Sequence, residues 1–275
     1  MLILAFDTTS DLGGVGIFRD LECLAQVAND DPANRYSITL FSMVDKAIEQ
    51  AQARYGVPAG GLAEIELIAV ASGPGSFTGI RIGLAAAQGW AKAFDLPVRG
   101  VSVLDALVEA AQIRTEWAVP ILDARRGEFY VELVERAPAT ASAPRQPALE
   151  VPLVGAPARP PLQPDQGWLL KPTELGAILP SRLPEGAAVT CVAREHDRAA
   201  RALREHLSGA FQWQTVAGTL VESIARLGLR LYGTPQAAAR LDACYIRRPD
   251  AQVPNAPDTR KPKFEIRNSK MENGN

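Results

Sequence analysis

The chain has 275 residues, 47% hydrophobic and 22% charged, with 29 Lys and Arg set against 31 Asp and Glu. That balance supports a sizeable core and excludes bulk disorder, while a formal net charge of −2 offers no general attraction for nucleic acid or an anionic membrane. Cys23, Cys191 and Cys244 are odd in number and far apart, so neither a disulfide framework nor a thiolate metal site is expected, and a reducing cytoplasm fits best.

The opening run Leu2-Ile3-Leu4-Ala5-Phe6 stops at Asp7, too short for a signal-peptide core, and no later run approaches membrane-span length. It reads as a buried strand, followed by a turn through Asp11, Gly13 and Gly14 and two further strands, Val15–Phe18 and Glu22–Ala28. From Tyr36 the period changes. Ile38, Phe41, Val44, Ile48 and Ala51 recur at helical spacing to about Tyr55, where Gly56 and Pro58 stop the helix. The strand Ile65–Ala71 then leads through Ser72-Gly73-Pro74-Gly75-Ser76 into a helix ending near Phe94, with Ser76 as its cap. A short strand around Pro97–Val101 and a helix opening at Ser102, with Asp105 completing a capping box, close this first unit.

The start of that pattern recurs. Val119–Leu122 ends at Asp123, turns through Ala124-Arg125-Arg126-Gly127 and resumes as the alternating strand Glu128–Val134. Strand, aspartate, tight turn, strand thus occurs twice, and the order of the first unit is that of a ribonuclease-H-like lobe. The expectation is an α/β protein of two such lobes, with mixed sheets flanked by helices, as in actin, Hsp70 and sugar kinases. The lobes are expected at 1–116 and 117–250. Within the second, a Pro/Ala-rich excursion covers 137–166. The chain resumes at Trp168 with a helix from Thr173, a strand Ala187–Ala193, and helices at Asp197–Leu207 and Thr219–Tyr232. A polar tail, 251–275, reads as disordered.

Four stretches resemble the TsaB family of tRNA threonylcarbamoyladenosine biosynthesis proteins: Asp7-Thr8-Thr9-Ser10, Ser72–Leu84, Asp123-Ala124-Arg125 with Phe129-Tyr130, and Tyr245-Ile246-Arg247-Arg248. The resemblance implies a scaffold with no catalytic residues and no metal ligands of its own. It would pair as a heterodimer with the catalytic paralogue TsaD, be joined by the ATPase TsaE, and meet tRNA through the complex. A homodimer is plausible when it is alone, and ATP or ADP enters only as a weak ligand or at the complex interface. The helix from Tyr36 is where TsaD carries a His-x-x-x-His metal pair; here Tyr36 and Leu40 stand nearby, and no histidine precedes His196.

Each candidate site has two readings. Asp7, Thr8 and Thr9 could position a metal-bound water and phosphate, or form a turn that satisfies its own backbone; Asp123 invites the same comparison. The stretch around Gly75 could cradle phosphate at a helix N-terminus, yet it lacks the Gly-Lys-Ser/Thr ending of a Walker loop, and Pro74 removes a donor. Phe41, Val44 and Ile48, with the small-residue face of Gly79, Gly83 and Ala87, are expected to form a shared helical surface for the partner. The alternatives are that both faces are satisfied inside the lobe, and that the chain is an independent ATP-dependent kinase or hydrolase.

Overall fold

A computed structural model of the chain describes residues 1–29, 35–56, 60–135, 168–197, 200, 203, 204, 207 and 211–232. The opening run forms β1 (Leu2–Asp7), which pairs antiparallel with β2 (Gly14–Arg19), itself antiparallel to β3 (Glu22–Ala28). Helix α1 (Tyr36–Tyr55) ends at Gly56, where a φ of 61° takes the left-handed turn that favours glycine. A 3-10 turn precedes β4 (Leu67–Gly73), which runs parallel to β1. Helix α2 (Phe77–Phe94) starts at Ser76, whose hydroxyl accepts from the Gly79 amide at 3.2 Å. β5 (Val98–Ser102), parallel to β4, leads into α3 (Val103–Ala111), where the Ser102 hydroxyl accepts from the Asp105 amide at 3.4 Å.

The second half contributes β6 (Trp117–Asp123), β7 (Phe129–Val131), β8 (Val134–Glu135), β9 (Trp168–Leu170), α4 (Pro172–Arg182), β10 (Val189–Arg194), β11 (Gln212–Val216) and α5 (Val221–Tyr232). The two sheets have the same strand order. The first runs β3-β2-β1-β4-β5 and the second β9-β7-β6-β10-β11, each with a central strand antiparallel to the strand that follows it and parallel to its other neighbour. That order is ribonuclease-H-like in both lobes, so the repeat read from two strand-aspartate-turn motifs holds for whole sheets.

Burial on both faces explains why β1 is apolar up to Asp7 and β4 up to Ser72. Leu2, Leu4 and Phe6 point to α1 and α2 on the outer face, whereas Ile3 and Ala5 point to an inner layer with Leu107, Val108, Ile224 and Ala225. That inner layer consists of α3 and α5, and it also takes in Ala118 and Val192 of the second sheet. Although α5 follows the second sheet in the chain, it packs on β1 and β4 of the first. The far face of the second sheet, with Trp117, Val119, Ile121 and Val131, is covered by Leu175 and Leu179 of α4 together with Ala200, Leu203 and Leu207.

Two details depart from the sequence expectation. The strand expected at Glu128–Val134 is interrupted after Val131 and resumes in the same register at Val134, opposite Ala118. The gap faces Pro120, which accepts from the Glu132 amide through its carbonyl but has no N–H to return. In addition, β11 is not foreseen, because only Val216 of its five residues is buried. Of the helix expected at Asp197–Leu207, the described residues 200, 203 and 204 are helical. The excursion 137–166, the Tyr245-Ile246-Arg247-Arg248 motif and the tail 251–275 lie outside the described residues.

Candidate functional site

The carboxyl ends of β1 and β6 meet at the junction of the lobes, and each carries an aspartate. Asp7 is fully buried, and its Oδ1 accepts from the Thr9 amide at 2.8 Å and the Thr9 hydroxyl at 2.7 Å. Asp123, half-buried, repeats the geometry: its Oδ1 accepts from the Arg125 amide at 2.7 Å. Both are aspartate side chains closing a turn on the backbone two residues ahead.

The Gly75 stretch lies directly against the first of these turns. The Ser76 amide donates to the Thr9 carbonyl at 2.7 Å, and the Thr8 hydroxyl donates to the Gly79 carbonyl at 2.7 Å. A Cβ added at Gly79 would strike the Thr8 carbonyl, and one at Gly83 would strike the Thr8 hydroxyl. The glycines of α2 therefore serve close approach of the helix to the Asp7-Thr8-Thr9 turn. Those groups are committed to each other, as in a packed turn.

Tyr36 closes the other side of the turn. Its hydroxyl accepts from the Gly13 amide and donates to the Ser10 carbonyl, both at 2.9 Å. Burial, reinforced by the Asp7 carboxylate, pushes this phenol well above its ordinary range, so it stays protonated. Leu40, one turn on, is buried in the core. Asn29 fastens the same turn, its amide donating to the Gly13 carbonyl at 3.0 Å and its side chain to the Asp11 carbonyl at 2.9 Å.

The second turn is more open. Arg125 and Arg126 adopt φ of 67° and 58°, and Arg125 pairs with Asp11 across the lobes at 3.5 Å, an exposed contact worth little. Beneath it, the Asp197 carboxylate accepts from the Asp123 amide at 2.9 Å and from the Ala200 amide at 2.8 Å. From the end of β10, Arg194 reaches across, donating to the Leu12 carbonyl at 3.2 Å and the Gly218 carbonyl at 2.6 Å. Sequence reasoning passed over Arg194 and Asp197. The available signal was a charged residue terminating a strand buried along its whole length.

The residues expected at a partner interface separate. Val44, Ile48 and Ala87 belong to the lobe's own core, and Gly79 and Gly83 are buried against Thr8. Phe41 is 58% exposed and packs edge-to-face on Trp90 with ring centroids 5.4 Å apart; Ile38, one turn earlier, is 77% exposed. Phe94, one turn beyond Trp90, is exposed as well. The start of α1 and the end of α2 thus carry an apolar surface, on residues other than most of those expected. Among the described residues, no group of three or more His, Cys, Asp or Glu side chains gathers as metal ligands do. No helix among them is long and apolar enough to cross a membrane.

The family model described as TsaD, tRNA N6-adenosine threonylcarbamoyltransferase, matches residues 30–148. The tRNA threonylcarbamoyladenosine biosynthesis protein TsaB of Bacillus subtilis is 31% identical over 135 residues, 49% of this chain and 56% of that protein. TsaB of Haemophilus influenzae is 33% identical over 138 residues, 50% of this chain and 55% of that protein. The chain spans about half the length of the curated relatives it matches. YeaZ from Pseudomonas aeruginosa shares the fold with a TM-score of 0.52 at 21% identity, over 84% of this chain and 93% of that one. A second Pseudomonas aeruginosa crystal structure, of an uncharacterized protein with similarity to peptidase YeaZ, superposes with a TM-score of 0.59 at 21% identity, over 90% of this chain and 99% of that one. Over about half its length the chain is similar in sequence to the TsaB proteins, and over most of its length it shares the fold of the two Pseudomonas aeruginosa structures.

Proposed function

We propose that the chain is an accessory subunit in the threonylcarbamoylation of tRNA adenosine, pairing with a TsaD-type catalytic subunit through the α1/α2 face of its first lobe, 1–116. The observation that carries this is the apolar surface of Ile38 and Phe41, two large side chains left exposed, Phe41 against Trp90, on a helix whose other face is already core. The relatives' names supply the pathway. Their partial coverage leaves activity, substrate and partners to experiment.

On this reading the chain contributes contact rather than chemistry. Tyr36 and Leu40, where the resemblance expects histidines on the catalytic paralogue, serve the turn and the core. Asp7 Oδ1 is spent on the Thr9 amide and hydroxyl, and Thr8 spends its hydroxyl on α2. TsaE would join the pair, tRNA would be met through the complex, and the setting would be the cytoplasm. Alone, the same apolar face would favour a homodimer.

Co-purification with a TsaD-type protein, followed by reconstituted tRNA modification with and without this chain, tests the proposal. The I38E/F41E variant is expected to fold with an unchanged melting midpoint yet lose pairing and the gain in product. Pairing that survives both charges, or equal product in both arms, contradicts it. Magnesium-dependent ATP turnover by the purified chain, abolished in D7A, would instead identify an independent nucleotide enzyme.

A further inference from the structure

Among the described residues, the buried charged side chains are Asp7, Arg194 and Asp197, and all belong to the lobe junction. Asp197 has both carboxylate oxygens engaged by backbone amides of its own lobe. Asp7 has not: its Oδ2 is buried without a hydrogen-bond partner, and so is the Nε of Arg194. A carboxylate wholly removed from water is costly unless a countercharge accompanies it, and Arg194 is the buried cation available among these residues.

We propose that Arg194 is an interlobe latch: its guanidinium, anchored on the Leu12 and Gly218 carbonyls, is the resident countercharge of Asp7 and holds the second sheet closed on the first lobe's turn without an added cation. Arginine suits this role because its fork donates in several directions and stays protonated even when desolvated. Burial does lower its affinity for the proton, and of the anionic groups that oppose this, Asp7 contributes most. The latch also ties three sequence-distant pieces together: the β1–β2 turn, the end of β10 and the loop before α5. It concerns lobe closure in the isolated chain, so its test stands apart from the partner proposal.

The experiment is thermal unfolding and amide exchange of R194M, D7N and the double variant D7N/R194M, each with and without millimolar magnesium. R194M strands the Asp7 carboxylate, so its melting midpoint is expected to fall by roughly 10 °C, with faster exchange at the Gly13 amide. D7N keeps the acceptor for Thr9 while removing the charge, so the double variant is expected to recover much of that loss. If R194M does not fold, folding of the double variant is the expected result. A loss in R194M that D7N leaves unrelieved, a double variant that does not fold, or a wild-type midpoint raised by magnesium would each overturn the latch.

Discussion

The Asp7 and Asp123 turns occupy the same place in two sheets of one topology and close with the same hydrogen bond, yet they have opposite surroundings. The first is roofed by α2, whose glycines let the helix settle onto Thr8, and is sealed by Tyr36 and Asn29. The second has a carboxylate, Asp197, beneath its backbone and two exposed arginines at its tip. A strand-end aspartate thus determines a turn locally. Whether that turn becomes a buried knot or an open loop depends on what the rest of the lobe lays over it.

The sharpest test of this contrast is to remove each aspartate. D7A takes away a fully buried acceptor and, on the latch proposal, the anion that Arg194 offsets, so urea unfolding should show a loss of about 3 kcal/mol, against about 1 kcal/mol for D123A. Equal losses would mean that the surroundings do not matter. The glycines provide the next comparison: G79V drives a branched side chain into the Thr8 carbonyl and should cost about 3 kcal/mol. G127A meets open space and should lose only about 1 kcal/mol, from its φ of 73°.

Smaller effects follow at the edges of the two turns. Y36F leaves the Gly13 amide and the Ser10 carbonyl without their shared partner, and a loss of about 1–2 kcal/mol is expected in the same assay. The smallest concerns His196, which burial, then the neighbouring Arg194, holds below the ordinary 6.5. The unfolded chain takes up that proton first as pH falls, so stability should decline as pH drops through about 6.5 and be complete above it. H196Q should flatten this slope in melting midpoints collected between about pH 5 and pH 7.5; an unchanged slope would assign it to other groups.

Much of the architecture was legible beforehand. Apolar runs ending at aspartate, the shift to helical spacing at Tyr36, the Ser76 and Ser102 caps and the stop at Gly56 all depend on neighbours within a few residues, and each is where it was expected. β11 escaped because an edge strand with one buried residue carries almost no period. Pro120 was the visible cue that the strand opposite it would break.

The candidate site was less legible, because its outcome rests on contacts distant in sequence. Periodicity gave α1 an apolar face and α2 a face of small residues, but not which side the sheet would claim. Packing assigned Val44, Ile48 and Ala87 inward and left Ile38 and Phe41 outside. The sequence by itself determined the two aspartate turns and the strands that carry them, since both follow from local hydrogen bonding and alternation. Only the tertiary structure decided that Arg194 would reach the β1–β2 turn and that the α2 glycines would cover Thr8, because bringing together groups far apart in the chain takes the closed lobes themselves.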